Sequence, residues 1–544
     1  MPGSLTLKSF DSRSILSTLV HPGADQPVTA YIQRSWDLLI RSMNEYASLV
    51  DPKIVSQPVL YLPADITLPA EVVELYDRSR VQVYPLPRII EKIGDVRPEQ
   101  LAAPGLLYLP NPYVVPGGRF NEMYGWDSYF IVLGLIASGR YGLARGMVEN
   151  FFFEIMHYGT VLNANRTYCL TRSHPPFLTS MIRAVYECRQ CFGEGEASIT
   201  WLERAYRLAA RDYAMWAAPH RRAGETGLTR YFDLDCTQVP ELADDSRYFH
   251  DVIEWLLAHP RQDPGYLVQD DRSPSDKVRE IQSARRDREL AAGGLSVPAS
   301  VKGRSLAEDF YRGDRAMRES GFDSSFRFGV FCGKTHHFAP VCLNSLLYRY
   351  ERDMSEFAHE LRLTKDAEKW DTIAQERAAH IQQYLWHEEQ GLFQDYDFVR
   401  EKASEYNYLS TFYPMWAGLA TPEQAECLRR NLRLFERPGG LAMSTQASGM
   451  QWDEPYGWAP CNLIAAEGMR AYGFRDDALR IARAFISTVD RGFEEDATVR
   501  EKYHMVRGDA EVHVTAGYKD NVIGFGWTNA VYLKMKEMLL AGGE

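Results

Sequence analysis

Beyond residue 125, apolar positions recur at helical spacing, with polar residues filling the opposite faces. The pattern predicts helices over 127–138, 142–157, 177–191, 198–217, 343–363, 367–387, 406–419, 422–435, 459–472, 475–489 and 527–540. Some starts and stops are legible. Thr421 stands as an N-cap before Pro422 at the first helical position, and Gly139 and Gly473 close helices. Strand-like sequence is confined to patches such as 59–62 and 80–86. Helices paired through short connectors define an all-α chain of antiparallel hairpins. That many helices over about 420 residues exceed a four-helix bundle and lack a short solenoid period. A closed double ring accommodates them, as does a superhelical array.

Connectors rich in Gly, Pro, Trp and Asp fall at 110–127, 163–176, 232–241, 320–327, 446–460 and 500–527. Their shared composition suggests that they gather at one mouth. The stretch from His250 to Arg304 differs. It carries Pro260, Pro264, Pro274 and Pro298 and a run of alternating charge around Asp276–Glu280 and Arg285–Glu289. It reads as an inserted, mostly exposed excursion with a helical piece near 275–291, serving as decoration or as a lid.

Composition narrows the function. Of 544 residues, 45% are hydrophobic and 25% charged, the balance of an ordinary globular protein. A formal charge of −12 argues against a phosphate polyanion, so no nucleic-acid partner is expected. No run approaches the roughly eighteen apolar residues of a bilayer span, and the first ten residues lack an apolar export core. The expectation is a soluble, cytoplasmic protein with no membrane partner. Eight scattered cysteines do not make a disulfide scaffold, and Cys188 and Cys191 read as reduced core residues with no second pair at zinc spacing. Eleven tryptophans suit sugar stacking and plain packing alike.

The densest chemistry lies in Pro116-Gly117-Gly118-Arg119-Phe120-Asn121-Glu122-Met123-Tyr124-Gly125-Trp126-Asp127-Ser128-Tyr129. Glycines free the backbone to turn, while interleaved charged and aromatic side chains can grip hydroxyls edge-on and stack a pyranose face. The same residues also suit a buried cap network. Gln451-Trp452-Asp453-Glu454-Pro455-Tyr456-Gly457-Trp458-Ala459-Pro460 repeats the recipe before a second helix.

These two segments match the signature motifs of the trehalases, inverting glycosidases of the family 37 type that cleave α,α-trehalose into two glucoses. Segments 31–42, 109–138 and 163–177, the turn Ser320-Gly321-Phe322-Asp323, Glu501-Lys502-Tyr503 and Phe525-Gly526-Trp527-Thr528-Asn529 also resemble family blocks in family order. The resemblance covers most of the chain from about residue 30, except the 250–304 excursion. It implies an (α/α)6 toroid over 106–544 with an N-terminal extension, 1–105, packed on it. It also implies a site at the ring's mouth, a small-molecule sugar as partner, and no cofactor.

Inverting glycosidases set two carboxyl groups roughly 6.5–9.5 Å apart across the sugar. By resemblance Asp323 is the general acid, with Phe in place of the family's Trp before it, and Glu501 is the base. Phe322 and Phe326 are the expected apolar walls raising the acid's pKa. The resemblance assigns the first glucose to Arg119, Phe120, Tyr124, Trp126, Asp127, Asn163 and Trp452, and the leaving sugar to Arg172 and Glu241. Three departures fall on the leaving-group side. His174 replaces a glutamine, Val239 an arginine, and Tyr518 stands where a sugar-binding Glu is aligned, with Glu511 seven residues earlier. Each lost polar contact is worth about 1–3 kcal/mol. Alternatives to trehalose hydrolysis are therefore another α-glucoside, such as glucosylglycerol, glucosylglycerate or another disaccharide, and a catalytically silent sugar-binding toroid. His336 and His337 are adjacent and expected to point apart, so no metal site is expected.

Overall fold

The computed structural model describes residues 27–50, 57–68, 70–193, 198–239, 247–270, 298–516 and 520–542. In chain order its principal helices are α1 (Val28–Leu39), α2 (Ala70–Ser79), α3 (Gly125–Ala137), α4 (Tyr141–His157), α5 (Leu178–Glu187), α6 (Ser198–Trp216), α7 (Tyr248–Ala258) and α8 (Glu308–Ser320). There follow α9 (Val341–Glu360), α10 (Thr364–Tyr384), α11 (Tyr413–Trp416), α12 (Pro422–Asn431), α13 (Ala459–Ala471), α14 (Arg475–Asp496) and α15 (Gly526–Ala541).

Burial sorts them into two layers. Helices α3 and α13 are apolar nearly all round and are buried nearly all round. Outer helices carry one stripe: in α10 the buried positions are Ala367, Trp370, Ala374, Arg377 and Ile381, three or four residues apart. The inner helices α3, α5, α9, α11, α13 and α15 pack each on the next, and α15 returns to α3. That last contact closes the ring. It is very close because Gly134 of α3 faces Ala530 of α15, where an added Cβ would come within 2.6 Å of the alanine Cβ. Trp36 of α1 covers the same glycine. Closure selects the double ring over the open array, and the chain is an (α/α)6 toroid.

Most expected helices form within a few residues of their predicted ends. The exception is 406–419, where Tyr408 is extended and bridges Ser444, a 3-10 turn spans Leu409–Phe412, and only α11 is helical. Pro414 lies in the first turn of α11, and Gly418 turns left-handed just beyond it. The strand-like patches pair in parallel: β1 (Val59–Leu62) lies between β2 (Gln82–Pro85) and β3 (Leu106–Leu107), with α2 between the first two in sequence. Helices α1, α2, α7 and α8 were not expected. Helix α8 hides from a hydropathy pattern because its buried residues include Asp314, Arg315, Arg318 and Glu319.

Where it is described, the 250–304 excursion is largely exposed or half-buried, but it and the residues just before it carry an apolar face. Tyr248, Phe249, Val252, Ile253, Leu256, Tyr266 and Ala299 join Val239, Phe310, Tyr311, Phe331, Met450 and Ala516 in a second apolar core. Strands β4 (Leu267–Gln269), β5 (Ser300–Val301) and β6 (Arg304–Leu306) form a sheet in which β6 is central. The expected helical piece near 275–291 lies outside the described residues. None of the cysteines is in a disulfide. Among the described residues no helix is long and apolar enough to cross a membrane.

Ring closure makes a direct prediction. Gly134→Ala forces apart two helices already in backbone contact and should cost about 1–3 kcal/mol in urea denaturation. Gly142→Ala in α4, where an added Cβ meets nothing within 4 Å, should be neutral or stabilising by up to about 1 kcal/mol. Equal effects at the two sites would contradict the closure.

Candidate active site

Helix α8 delivers the first carboxyl group. Ser320 Oγ accepts the Phe322 N–H at 3.2 Å, and Gly321 ends the helix at a φ of +74°. A Cβ at Gly321 would also lie 2.8 Å from Cε2 of Trp126, so both backbone angle and space demand glycine. Phe322 packs edge-on against Trp126 at 5.4 Å and Trp452 at 5.1 Å between centroids. The Gln451 amide donates to the Asp323 carbonyl, and the Trp452 N–H donates to the Ser324 carbonyl at 3.1 Å. Asp323 thus emerges with its side chain 42% exposed and 4.0 Å from the guanidinium of Arg318, which Asp314 grips at 2.9 and 3.2 Å. Neither Phe322 nor Phe326 is among the cavity-lining residues. Phe326 instead packs on Trp255 and Phe331 in the second core.

A short ladder delivers the second. Strand β7 (Tyr456–Trp458), inside the second signature, pairs antiparallel with β8 (Lys502–His504), setting Trp458 opposite Lys502. Glu501, just before β8, donates its N–H to the Val522 carbonyl at 2.9 Å. Its own carbonyl accepts from Trp527 Nε1 and Thr528 Oγ1, each at 3.3 Å. Its carboxylate is buried, with 8% of the side chain exposed.

The first signature divides between two duties. Asn121 accepts from Arg41 Nε at 3.0 Å and Glu122 pairs with buried Arg166, forming the cap network. Arg119, Phe120, Tyr124, Trp126 and Asp127 face the cavity. Burial pushes the Asp127 carboxyl well above its ordinary range, and the charges of Glu501 and Asp323 add to the effect, favouring the protonated form. The indoles of Trp126, Trp452, Trp458 and Trp527 pack together, with Trp452 stacked on Trp458 at 3.9 Å and 1°.

On the opposite wall Asn163 Nδ2 donates to the carbonyls of Ser173 and Arg318, at 3.0 and 3.1 Å, and Oδ1 accepts from Arg172 at 3.5 Å. Asp233 stands behind Arg172 at 3.9 Å. Against the cost of burial, Arg315 and Arg172 hold the Asp233 carboxyl below its usual range. His174 sits against Gly125, where a Cβ would be 2.6 Å from the histidine Cβ, and accepts the Trp126 N–H on Nδ1 at 3.1 Å. Burial, then the charge of Arg172, pushes its pKa well below the ordinary value, so the ring is neutral with its hydrogen on Nε2.

The site is one cavity of about 200 Å³. Asp323, Glu501, Arg119, Phe120, Tyr124, Trp126, Asp127, Asn163, Arg172, His174 and Trp452 all belong to its wall. Glu241 and Tyr518 lie outside the described residues. The wall also includes Tyr168, Arg318, Gln451, Trp458, Phe525 and Trp527. Gln451 and Trp458 stand inside the second signature, Tyr168 inside the matched segment 163–177, and Phe525 and Trp527 inside another matched block, but nothing in the sequence marked Arg318. Of the connectors expected at the mouth, 232–241 contributes no lining residue among those described. Val239 is buried in the second core instead. Glu511 is engaged elsewhere, with His513 at 2.9 Å and Arg507 at 3.1 Å. The adjacent histidines do not point apart: His336 and His337 reach the same Asp309 oxygen at 2.9 and 3.7 Å, while Lys334 stands 3.6 Å from the other oxygen. Asp309, His336 and His337 are close enough together to share a cation.

A closed double ring of helices with two carboxyl groups and a bank of indoles at its mouth defines an (α/α)6-toroid protein with a carbohydrate-type cleft. The chain belongs to the trehalase family, whose sequence model, Trehalase, matches residues 78–539. It is 36% identical over 468 residues to the cytosolic neutral trehalase of Emericella nidulans, covering 79% of this chain and 58% of that protein. To the cytosolic neutral trehalase of Kluyveromyces lactis it is 33% identical over 529 residues, covering 90% of this chain and 64% of that protein. The chain therefore spans less than two thirds of the length of these curated relatives. Its structure is similar to neutral trehalase from Saccharomyces cerevisiae with a TM-score of 0.76 and 30% identity, covering 94% of this chain and 93% of the other.

Gly321→Ala tests how the Asp323 loop is built. The left-handed backbone and the contact with Trp126 together should cost more than about 1 kcal/mol of stability in urea denaturation. Wild-type stability would mean that the loop tolerates another conformation.

Proposed function

We propose that the protein hydrolyses α,α-trehalose to two glucose molecules by single displacement with inversion. The observation that carries the reading is that Asp323 and Glu501, from segments far apart in sequence, line one cavity together with the indoles and hydrogen-bonding groups that a pyranose requires. In this reaction Glu501 takes a proton from water as the water oxygen attacks the anomeric carbon. Asp323 gives its proton to the glycosidic oxygen, and the departing glucose keeps that oxygen. Asp127, favoured in its protonated form, supplies a hydroxyl hydrogen to the bound sugar, and Arg119 adds a charged donor. The naming of the relatives supports a cytosolic location.

A second reading has its own support. On the leaving-group side Val239 is turned into the second core, Glu511 is paired elsewhere, and His174 offers an imidazole N–H where the family has an amide. A hydrolase of another α-glucoside using the same carboxyl pair would suit those changes. Glucose release should be measured on trehalose beside kojibiose, maltose, glucosylglycerol and glucosylglycerate. The first reading expects the highest kcat/KM on trehalose. A different preferred substrate supports the second, and silence on all with measurable trehalose binding points to a sugar-binding toroid. Asp323→Asn and Glu501→Gln should each lower kcat at least about 100-fold, the lower end of general acid–base contributions, with an unchanged melting profile. Near-normal turnover in either variant removes that residue from its role.

A further inference from the structure

The residue after the proposed base is a lysine with no exposed side-chain surface. Lys502 Nζ donates to Glu501 Oε2 at 2.9 Å and to the Asp520 carbonyl at 3.0 Å, and lies 5.1 Å from the centre of the Trp458 ring. Trp458 is the indole stacked on Trp452, so one ammonium touches both the base and the underside of the aromatic bank. Its own place is set by backbone: the Lys502 N–H donates to Asn521 Oδ1 at 3.2 Å, and Asn521 Nδ2 returns a bond to the Lys502 carbonyl at 2.9 Å.

From this geometry we propose that Lys502 is a positioning residue for hydrolysis: it binds Oε2 of Glu501, keeps that carboxylate ionised inside the cleft, and leaves Oε1 to take the proton of the attacking water. The inference rests on the assignment of Glu501 as base made above. A buried carboxylate without a counter-charge takes up a proton, and a protonated Glu501 has no capacity to act as base. Among the described residues, the other titratable groups acting on the pair include Arg119 from the first signature loop, Asp520 from the segment before α15 and Asp127 from α3, the last favoured in its protonated form. Burial draws the Lys502 ammonium below its ordinary range, and the charge of Glu501 is the main effect opposing it.

The test is the pH profile of trehalose hydrolysis by the full chain and its Lys502→Met, Lys502→Gln and Lys502→Arg variants, each checked by thermal melting. Loss of the cation raises the pKa of the base, so the acidic limb of kcat/KM should move upward by about 1–3 pH units in the Met and Gln variants. Because Gln keeps a donor without charge, the same displacement in both identifies charge as the cause. The Arg variant should keep the limb where wild type has it. A uniform loss at every pH, with the limb unmoved, would overturn the proposal. A wild-type protein silent on trehalose would count against the functional reading alone. The acid-side midpoint for binding the iminosugar cation 1-deoxynojirimycin, followed by calorimetry, then decides the role of Lys502 without turnover. It should rise in Lys502→Met, and an unchanged midpoint would overturn the inference. If the Met variant fails to fold, the Gln variant carries the same two measurements.

Discussion

Two charged side chains with no exposed surface hold the mouth of the ring together. Arg221 meets Glu319 through two bonds, at 2.7 and 2.8 Å, and both side chains are 0% exposed. Glu319 also accepts the Ser173 N–H at 2.9 Å and the Phe232 N–H at 2.7 Å. One carboxylate therefore joins the loop bearing Arg172 and His174, the turn behind α6 and the last residues of α8, four positions before Asp323. Removing one member of such a buried pair typically costs about 3–5 kcal/mol, because the other is left uncompensated. Asp323 and the wall bearing Arg172 and His174 are fixed relative to each other by this knot of charge, with apolar packing around it.

The other half of the site is fixed by aromatic packing and a few backbone bonds. The β7–β8 pair sets the Glu501 segment beside the second signature. The four indoles then fill the space between that ladder, α3 and α15. Gln451 and Trp452 bond to the backbone of Asp323 and Ser324, so the second signature touches both carboxyl-bearing segments. Rigidity of this sort suits a reaction in which water and proton donor must stand on opposite faces of one sugar. Beyond Asp323 the surroundings are built differently, with the second apolar core behind and Ser324 Oγ on the Met450 sulfur at 3.4 Å.

Much of this was legible in the sequence, for identifiable reasons. Inner and outer helices announced themselves through apolar period, and the signatures carried the aromatic and carboxylate side chains of the cleft. Helix α8 was not legible, since its buried residues include Asp314, Arg315, Arg318 and Glu319, whose ion pairs hydropathy reads as exposure. Arg318 was missed for the same reason. The flanks of the 250–304 excursion misled in the opposite sense: prolines and charges near its centre obscured Tyr248, Val252, Ile253 and Leu256, which are spaced for one buried helix face. Adjacent His336 and His337 were expected to diverge, yet a 3-10 turn lets both rings reach Asp309. The choice of Asp323 and Glu501 among 73 acidic residues came from resemblance and not from spacing.

The central claim is that a water held by Glu501 attacks one face of a glucose while Asp323 protonates the bond on the other. Proton NMR of the first sugars released from α,α-trehalose, recorded before mutarotation, tests it most directly. One β-glucose should appear for each α-glucose at the earliest times. Release of α-glucose alone would mean retention, and would contradict the arrangement of the two carboxyl groups on which the account depends.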